Sequence, residues 1–355
     1  MLPKASRRES RAIGFGVLIL LLIAFSATSG YPQEANDSHP GQERNRSTRP
    51  ELESKIPSPG DRTRGYTIGV NVDLVLVYAT VSDKKGRFVP GLKQENFKVY
   101  EDGIEQSVSL FAQEDVPITM GILLDLSGSM RGKIEQVNQA ALALIQASNR
   151  QDQVFLIGFN EEVELLQDFT SDIDEITDAL ENIVVMGGTA LYDAIYLGVQ
   201  KASTGTRTKK AIVVITDGED RDSYYKLNEL VKKVQESDVM VFCIGFLNPA
   251  PEKGLFGRWS KSEAEKAREA LVRIAEETGG KAFFPDKLTD LHDIVSEIAS
   301  ELRSQYSIGY FSSNRARDGT YRRIKIELSG LDLSNKQLRY RRGYYAPKAE
   351  SADKR

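Results

Sequence analysis

The chain is poor in the residues that form disulfides or carry acid–base catalysis. It contains one cysteine and two histidines in 355 residues. A single cysteine, Cys243, excludes an intrachain disulfide, so the fold must be held by a hydrophobic core, which this length permits. Cys243 lies in the apolar run 239–246 and is expected to be buried. His39 lies in a polar tail and His292 in a predicted helix, so neither indicates a catalytic centre.

Signals of phosphate chemistry and of nucleic-acid binding are also missing. The sequence has no Gly-x-x-x-x-Gly-Lys-Ser/Thr loop, and no Asp-x-Asp pair follows the apolar run 118–124. The net charge of −4 is a balance of both signs and predicts no bulk attraction to nucleic acid. The basic clusters at 322–323 and 339–342 alternate with strand residues and are predicted to be solvated strand faces. We therefore expect no enzyme activity and no nucleic-acid partner.

Residues 1–30 have the pattern of a targeting segment. Four basic residues precede an apolar stretch at 12–25, and small residues follow it. The segment is either cleaved as a signal peptide or kept as an N-terminal anchor, which would be the only membrane tether. We predict that the protein is exported to the periplasm, the cell envelope or the medium.

Two further segments are too polar to fold. Residues 31–65 contain several Pro, Gly, Asn and Ser and scarcely any aliphatic side chains. Such a composition cannot bury enough apolar surface to offset the entropy lost on ordering. We predict a disordered linker over 31–65 and a disordered tail over 348–355.

The regions 66–115 and 304–347 show hydrophobic residues with a period of two, separated by turn signals, and this predicts antiparallel strands. Each region supplies only three or four strands, which is too few for an independent domain. We expect the two regions to complete one immunoglobulin-like β-sandwich, although two small β modules fit the same pattern.

Region 116–303 alternates apolar strands with amphipathic helices, which predicts a doubly wound, mostly parallel sheet of the Rossmann type. The strand order 3-2-1-4-5-6 is expected, with a short antiparallel strand at one edge. The predicted strands are 118–124, 154–159, 163–166, 211–216, 239–245 and 281–284. The predicted helices are 133–148, 173–183, 190–202, 227–236, 262–278 and 288–303.

Oxygen-bearing side chains follow two of these strands. Asp125, Ser127 and Ser129 leave the first strand at alternate positions, and Asp217 ends the fourth. Thr189 lies between them in a Gly-Gly-Thr loop. In the expected order the first and fourth strands are neighbours where the winding reverses, which is where such folds bind ligands. Oxygen ligands suit Mg²⁺ or Mn²⁺. Capping of the following helix is the other interpretation of these residues.

Asp-x-Ser-x-Ser, Gly-Gly-Thr and Thr-Asp-Gly, in this order, resemble the von Willebrand factor type A domain. The resemblance implies a metal-ion-dependent adhesion site. In it, Ser127, Ser129 and Thr189 bind the cation through their hydroxyls, and Asp125 and Asp217 hold it directly or through water. Residues 66–347 also resemble bacterial exported proteins in which a β region with a Phe-x-Val-x-Glu-Asp-Gly pattern, here 97–103, precedes such a domain.

The resemblance implies adhesion-type binding of a protein whose Glu or Asp completes the shell of the cation. A structural envelope module with a merely stabilising metal is the alternative, and a Mg²⁺-dependent hydrolase is a further one. Glu219, Asp220 and Asp222 are candidates for a second cation site, but an acidic run after a strand is more typical of a solvated loop. The apolar side chains at 255, 256 and 259 are expected to pack under a loop or to form a contact surface.

Overall fold

The computed structural model describes residues 73–247, 262–330, 333 and 335–349. The predicted targeting segment, the linker and the apolar group at 255–259 lie outside these ranges. Within the described ranges, no helix combines the length and the apolar character needed to cross a membrane.

The structure alternates strands and helices through its middle and consists of strands at either end. The strands are β1 (Leu74–Ser82), β2 (Phe97–Glu101), β3 (Ile104–Gln106), β4 (Val108–Ala112), β5 (Ile118–Asp125), β6 (Gln153–Phe159), β7 (Val163–Thr170), β8 (Lys209–Thr216), β9 (Val239–Gly245), β10 (Ala282–Phe283), β11 (Tyr306–Phe311), β12 (Tyr321–Leu328), β13 (Gln337–Arg339) and β14 (Gly343–Tyr345). The helices are α1 (Ile134–Gln146), α2 (Ile173–Glu181), α3 (Leu191–Ser203), α4 (Leu227–Gln235), α5 (Glu263–Thr278) and α6 (Leu291–Ser304).

Six strands form the central sheet in the order β10-β9-β8-β5-β6-β7. All neighbours are parallel except β6 and β7, which are antiparallel. Helices α1, α2 and α6 pack on one face and α3, α4 and α5 on the other. Burial on both faces explains why β5, β8 and β9 are almost continuously apolar. The predicted fold class, strand order and antiparallel edge strand are confirmed, but β7 is twice as long as the predicted strand 163–166.

The remaining eight strands form two antiparallel sheets, β13-β1-β11-β4 and β14-β12-β2-β3. Each sheet contains strands from both ends of the described chain. Val77 and Ile308 of the first sheet share a hydrophobic core with Val99 and Ile326 of the second. The two flanks therefore form one β-sandwich, and the parallel-sheet region is inserted between β4 and β11.

A buried ion pair lies inside this sandwich. Glu101, from the Phe-x-Val-x-Glu-Asp-Gly pattern, accepts hydrogen bonds from the hydroxyls of Tyr310 and Tyr344, both at 2.9 Å. Arg322 Nη1 lies 3.5 Å from the same carboxylate, and both charged residues are buried. The prediction that the 322–323 cluster is solvated is therefore wrong for Arg322, because its position on β12 faces inward and Glu101 neutralises it. Arg323 is exposed as predicted.

The residues that follow β14 are hydrogen-bonded to the segment before β12. Lys348 forms an antiparallel bridge with Asp318, and the Ala349 amide donates to the Arg317 carbonyl at 2.9 Å. The described structure thus continues two residues past the predicted sandwich boundary at 347. The rest of the predicted tail lies outside the described residues.

A buried lysine lies where the sandwich meets the parallel sheet. Lys209, at the start of β8, donates from Nζ to the Leu302 carbonyl of α6 at 2.5 Å and lies 5.0 Å from the ring centroid of Tyr78 on β1. Burial and, to a smaller extent, the charge of Arg303 lower the pKa of Lys209 to about 7, against the opposing effect of nearby carboxylates. This junction therefore contains an amine whose charge is costly in the folded state.

We predict that Lys209→Met flattens the pH dependence of stability. Between about pH 7 and 10 the unfolded chain holds a proton on this lysine that the folded chain releases, so the free energy of unfolding of the wild type rises with pH. The variant should lack this rise and gain about 1–2 kcal/mol at pH 7, where the buried charge is removed. Urea unfolding from pH 7 to 9.5 measures both. Lys210→Met, whose lysine pairs with Asp238 at the surface, is the control. An unchanged slope in Lys209→Met would contradict the assignment.

Candidate metal centre

The parallel pairing of β5 with β8 sets two carboxylates side by side at the carboxyl edge of the sheet. Leu124 is in register with Ile215, so Asp125 lies beside Thr216 and near Asp217. Asp125 is completely buried. Its Oδ1 accepts a hydrogen bond from the Ser127 amide at 2.9 Å, and its Oδ2 accepts one from the Thr216 hydroxyl at 2.7 Å.

The electrostatic state of Asp125 reflects this burial. Loss of solvent raises the pKa of Asp125, and the charge of Asp217 acts in the same direction. Hydrogen bonds from Ser127 and Thr216 act against this and favour the carboxylate form. The site therefore holds an acidic group whose negative charge is only partly compensated by the protein.

The two serines lie on the turn that follows β5. The Ser127 and Ser129 hydroxyl oxygens are 3.1 Å apart. Ser127 is buried and Ser129 is exposed, so the pair leads from the protein interior to the surface. Neither Asp125 nor Ser127 caps α1, which begins at Ile134, and no side-chain cap is made by Ser127. The capping interpretation of these residues is not supported.

The third loop depends on two consecutive glycines. Gly187 has a φ of +79°, and a Cβ there would lie 2.0 Å from a carboxylate oxygen of Glu161. A Cβ on Gly188 would lie 2.0 Å from Asp222. The two carboxylates hold the loop, because Glu161 accepts from the Gly188 amide at 2.6 Å and Asp222 from the Thr189 amide at 2.7 Å. Thr189 is buried.

Hydrogen bonds join this loop to the serine turn. The Gly128 amide donates to the Gly187 carbonyl at 3.1 Å, and the Met186 amide donates to the Leu126 carbonyl at 2.9 Å. The Thr189 hydroxyl has no hydrogen-bond partner in the part of the chain that the structure describes. The loop is therefore fixed through its backbone while its side-chain oxygen stays available.

The hydrogen bonding of Asp217 bears on whether a cation fits between the loops. It is buried, and its Oδ1 has no hydrogen-bond partner among the described residues. Its Oδ2 lies 3.9 Å from Lys133 Nζ, which is a long contact for an ion pair. A buried carboxylate oxygen without a partner is costly and rare. A bound cation would satisfy it.

The donor set restricts which cation fits. No three His, Cys, Asp or Glu residues lie close enough together to hold a metal within the described ranges. A cation beside Asp125 and Asp217 would therefore take its other ligands from neutral oxygens, for which the hydroxyls of Ser127, Ser129 and Thr189 are the candidates. An all-oxygen set of this kind suits Mg²⁺ or Mn²⁺ better than a softer metal.

The carboxylates proposed for a second cation site have other partners. Asp220 Oδ1 accepts from the Tyr192 amide at 3.1 Å and from the Ser223 hydroxyl at 2.5 Å. Glu219 forms an ion pair with Arg221. These acids, like Asp222, hold loop backbone and side chains in place, so the structure favours the loop interpretation over a second metal.

The sequence model of the von Willebrand factor type A domain matches residues 120–297. The chain belongs to this family. An uncharacterized protein of Synechocystis sp. is 30% identical over 139 residues, which is 37% of this chain and 32% of that protein. Integrin alpha-1 of Gallus gallus is 27% identical over 194 residues, 48% of this chain and 65% of the integrin sequence. The chain spans less than two thirds of either relative.

Among solved structures, an aerotolerance-related membrane protein from Bacteroides fragilis, carrying multiple mutations to serines, is similar to the chain. It is 22% identical, with a TM-score of 0.41, and the match covers 52% of this chain and 98% of that one. Von Willebrand factor type A domains are commonly protein-interaction modules.

The sequence patterns mark the five candidate oxygen donors of this von Willebrand factor type A domain but not the residues that hold their loops in place. Thr216 was passed over although it precedes Asp217 in Thr-Asp-Gly, at a strand end next to the first metal loop. No sequence pattern gives Asn160 or Glu161 a role at the site. In the structure the Asn160 carbonyl accepts from the Ala190 amide at 2.5 Å, and Glu161 holds Gly188. No local pattern marks such contacts, because they join segments far apart in the chain.

We predict that Asp125→Asn stabilises the protein in the presence of a chelator. Burial makes the pKa of Asp125 higher in the folded state than in the unfolded state. The free energy of unfolding therefore falls as the pH rises above the ordinary pKa of an aspartate, because the folded state resists losing this proton. Asparagine keeps the shape and removes the charge, and should add about 1 kcal/mol at pH 7. Urea unfolding measures the change, with the exposed Asp293→Asn as the control. A loss of stability in Asp125→Asn alone would show that the carboxylate is fully compensated within the protein.

Proposed function

We propose that this protein is an exported, metal-dependent protein-binding module. Mg²⁺ or Mn²⁺, held by Asp125, Ser127, Ser129, Thr189 and Asp217, coordinates a Glu or Asp of a partner protein. The observation that carries the proposal is the buried, unpartnered Oδ1 of Asp217 next to a second buried carboxylate. Export is proposed from the basic and apolar pattern of residues 1–30.

The chemistry of the donors supports the binding of an acidic ligand. With one carboxylate bonded directly and the other held through water, the bound cation would be a positive centre that its inner coordination shell neutralises only in part. Ser129 is exposed, so the donor set opens to solvent on that side. A carboxylate of a partner is the group that best complements such a centre, because both partners of the contact are charged. The surrounding loops would then provide specificity.

The geometry favours binding over a purely stabilising metal. The loops that carry the donors are already joined by the Gly128–Gly187 and Thr189–Asp222 hydrogen bonds. Their connection therefore does not depend on an ion. Because a metal is not needed to connect these loops, ligand binding is a better explanation of its role than stabilisation.

A hydrolase is less well supported. The Ser127 hydroxyl has the Ser129 hydroxyl as its neighbour at 3.1 Å, and no histidine lies among the contacts of either serine in the described structure. Serine is a weak nucleophile unless a base activates it. The groups that surround the donors are suited to holding an ion and offer no general base to Ser127.

The first test is metal binding by the full chain. Calorimetric titration with Mg²⁺ and with Mn²⁺ should show one site in the wild type. Asp125→Ala should weaken the affinity by more than about tenfold, because it removes a charged ligand. Asp293→Ala, which removes an exposed carboxylate on α6, is the matched control and should bind as the wild type does. Equal affinities in all three proteins would exclude the proposed site.

The second test identifies the partner. The full chain is immobilised and exposed to envelope and culture fractions of the source cells, in Mg²⁺ and in chelator. A protein retained by the wild type only in Mg²⁺, and never by Asp125→Ala, is the expected result. Retention that is equal under all conditions would place the binding surface elsewhere and favour the structural alternative.

A further inference from the structure

One stretch of the parallel-sheet region contains acidic residues and no basic ones. Residues 151–200 contain eleven Asp and Glu and no Lys, Arg or His, whereas the whole chain has a net charge of only −4. This stretch covers β6, β7, α2 and most of α3, and β7 is the edge strand of the sheet. Asp152 pairs with Arg303 and Asp168 with Lys201, so the excess negative charge at this edge of the sheet comes from the other acids of the stretch.

A groove runs along this edge between β7 and the segment that leads from α2 to α3. Its volume is about 930 Å³. Three apolar side chains that line it are unusually exposed: Leu165 at 45%, Val184 at 67% and Met186 at 54%. Exposed apolar side chains grouped in a concave surface are typical of interaction sites.

Acidic side chains surround this apolar floor. Glu162, Glu164, Glu175 and Asp178 line the groove, and none of the four forms an ion pair among the residues that the structure describes. Glu175 accepts a hydrogen bond from Gln167 at 3.1 Å. The groove therefore combines an apolar floor with uncompensated negative charge at its sides.

Protection of a sheet edge explains only part of this arrangement. Charged residues on an edge strand prevent unwanted pairing with other strands, and β7 has an irregular register with β6 that serves the same purpose. That account covers Glu162 and Glu164. It does not explain Val184 and Met186, which lie on a separate segment and expose apolar surface to water.

We propose that this groove binds an extended segment of a partner protein in which Lys or Arg alternates with aliphatic residues. The aliphatic side chains would cover Leu165, Val184 and Met186, and the basic side chains would meet the acidic sides of the groove. An extended segment fits because it runs along the edge strand and presents its side chains alternately. The chemistry required of the partner here is opposite to that required at the metal centre.

The groove is distinct from the metal centre. None of the five proposed metal donors lines it. Met186 directly precedes the Gly-Gly-Thr loop, so the two sites are adjacent along the chain but use different side chains. Binding in the groove should therefore continue in chelator and in Asp125→Ala, which separates this proposal from the proposed function.

The test uses two fluorescent decapeptides and the full chain. In one peptide lysine alternates with leucine, and in the other glutamate replaces every lysine. Anisotropy titrations in chelator should show binding of the lysine peptide alone. Val184→Ser with Met186→Ser should weaken it about tenfold by removing the apolar floor. Glu164→Gln with Asp178→Asn should weaken it by a similar factor and reduce its salt dependence.

Leu110→Ser with Glu105→Gln, which changes an exposed apolar and an exposed acidic residue of the sandwich, is the matched control. It should bind the lysine peptide as tightly as the wild type. Equal weakening in the control, or equal binding of the glutamate peptide, would overturn the proposal. Sedimentation without peptide adds a further check: a wild-type dimer that the Val184→Ser, Met186→Ser variant abolishes would assign the groove to a second copy of the chain. Circular dichroism confirms that each variant is folded.

Discussion

The parallel pairing of β5 with β8 is the constraint on which the candidate metal centre depends. These strands are far apart in sequence, yet their register brings Asp125 next to Thr216 at one edge of the sheet. The pairing is specified by apolar side chains buried on both faces, so the polar residues at the strand ends take positions that the core determines. Asp125 can remain buried with a raised pKa because the strands on which it depends are stabilised elsewhere.

The same sheet is joined to the sandwich at its opposite end. β4 leads into β5, α6 leads into β11, and β4 and β11 are hydrogen-bonded to each other. The inserted region therefore begins and ends at neighbouring points of one sandwich sheet. Polar contacts fix this junction: Thr80 donates to Glu301 at 2.9 Å, Arg303 pairs with Asp115, and Lys209 donates to the end of α6. A short, hydrogen-bonded entry and exit allows a domain to be inserted without disturbing its host.

Local periodicity predicts the strands and helices of the inserted region, because burial on one or both faces of an element determines the spacing of its apolar residues. Asp125 and Asp217 lie at neighbouring strand ends, as the reversal of winding in a doubly wound sheet predicts. Periodicity failed at Arg322, where an inward strand position holds a charge that only a distant Glu101 makes tolerable. It also missed the groove, because Leu165 and Met186 become neighbours only through the path of the segment between α2 and α3.

Buried acids at the two ends of the parallel sheet differ in how completely they are hydrogen-bonded, and this difference supports the proposed position of the cation. At the amino end Asp152 accepts from the Ile118 and Asn149 amides, both at 2.9 Å, and pairs with Arg303. At the carboxyl end Asp217 is the only acidic residue of the described chain with a buried oxygen that lacks a hydrogen-bond partner. Asp152 shows that this fold can provide a buried carboxylate with all of its hydrogen bonds. The unpartnered oxygen of Asp217 costs stability, so we attribute it to ligand binding. The incomplete acid lies near Asp125 at the carboxyl edge of the sheet, where a cation would satisfy its free oxygen.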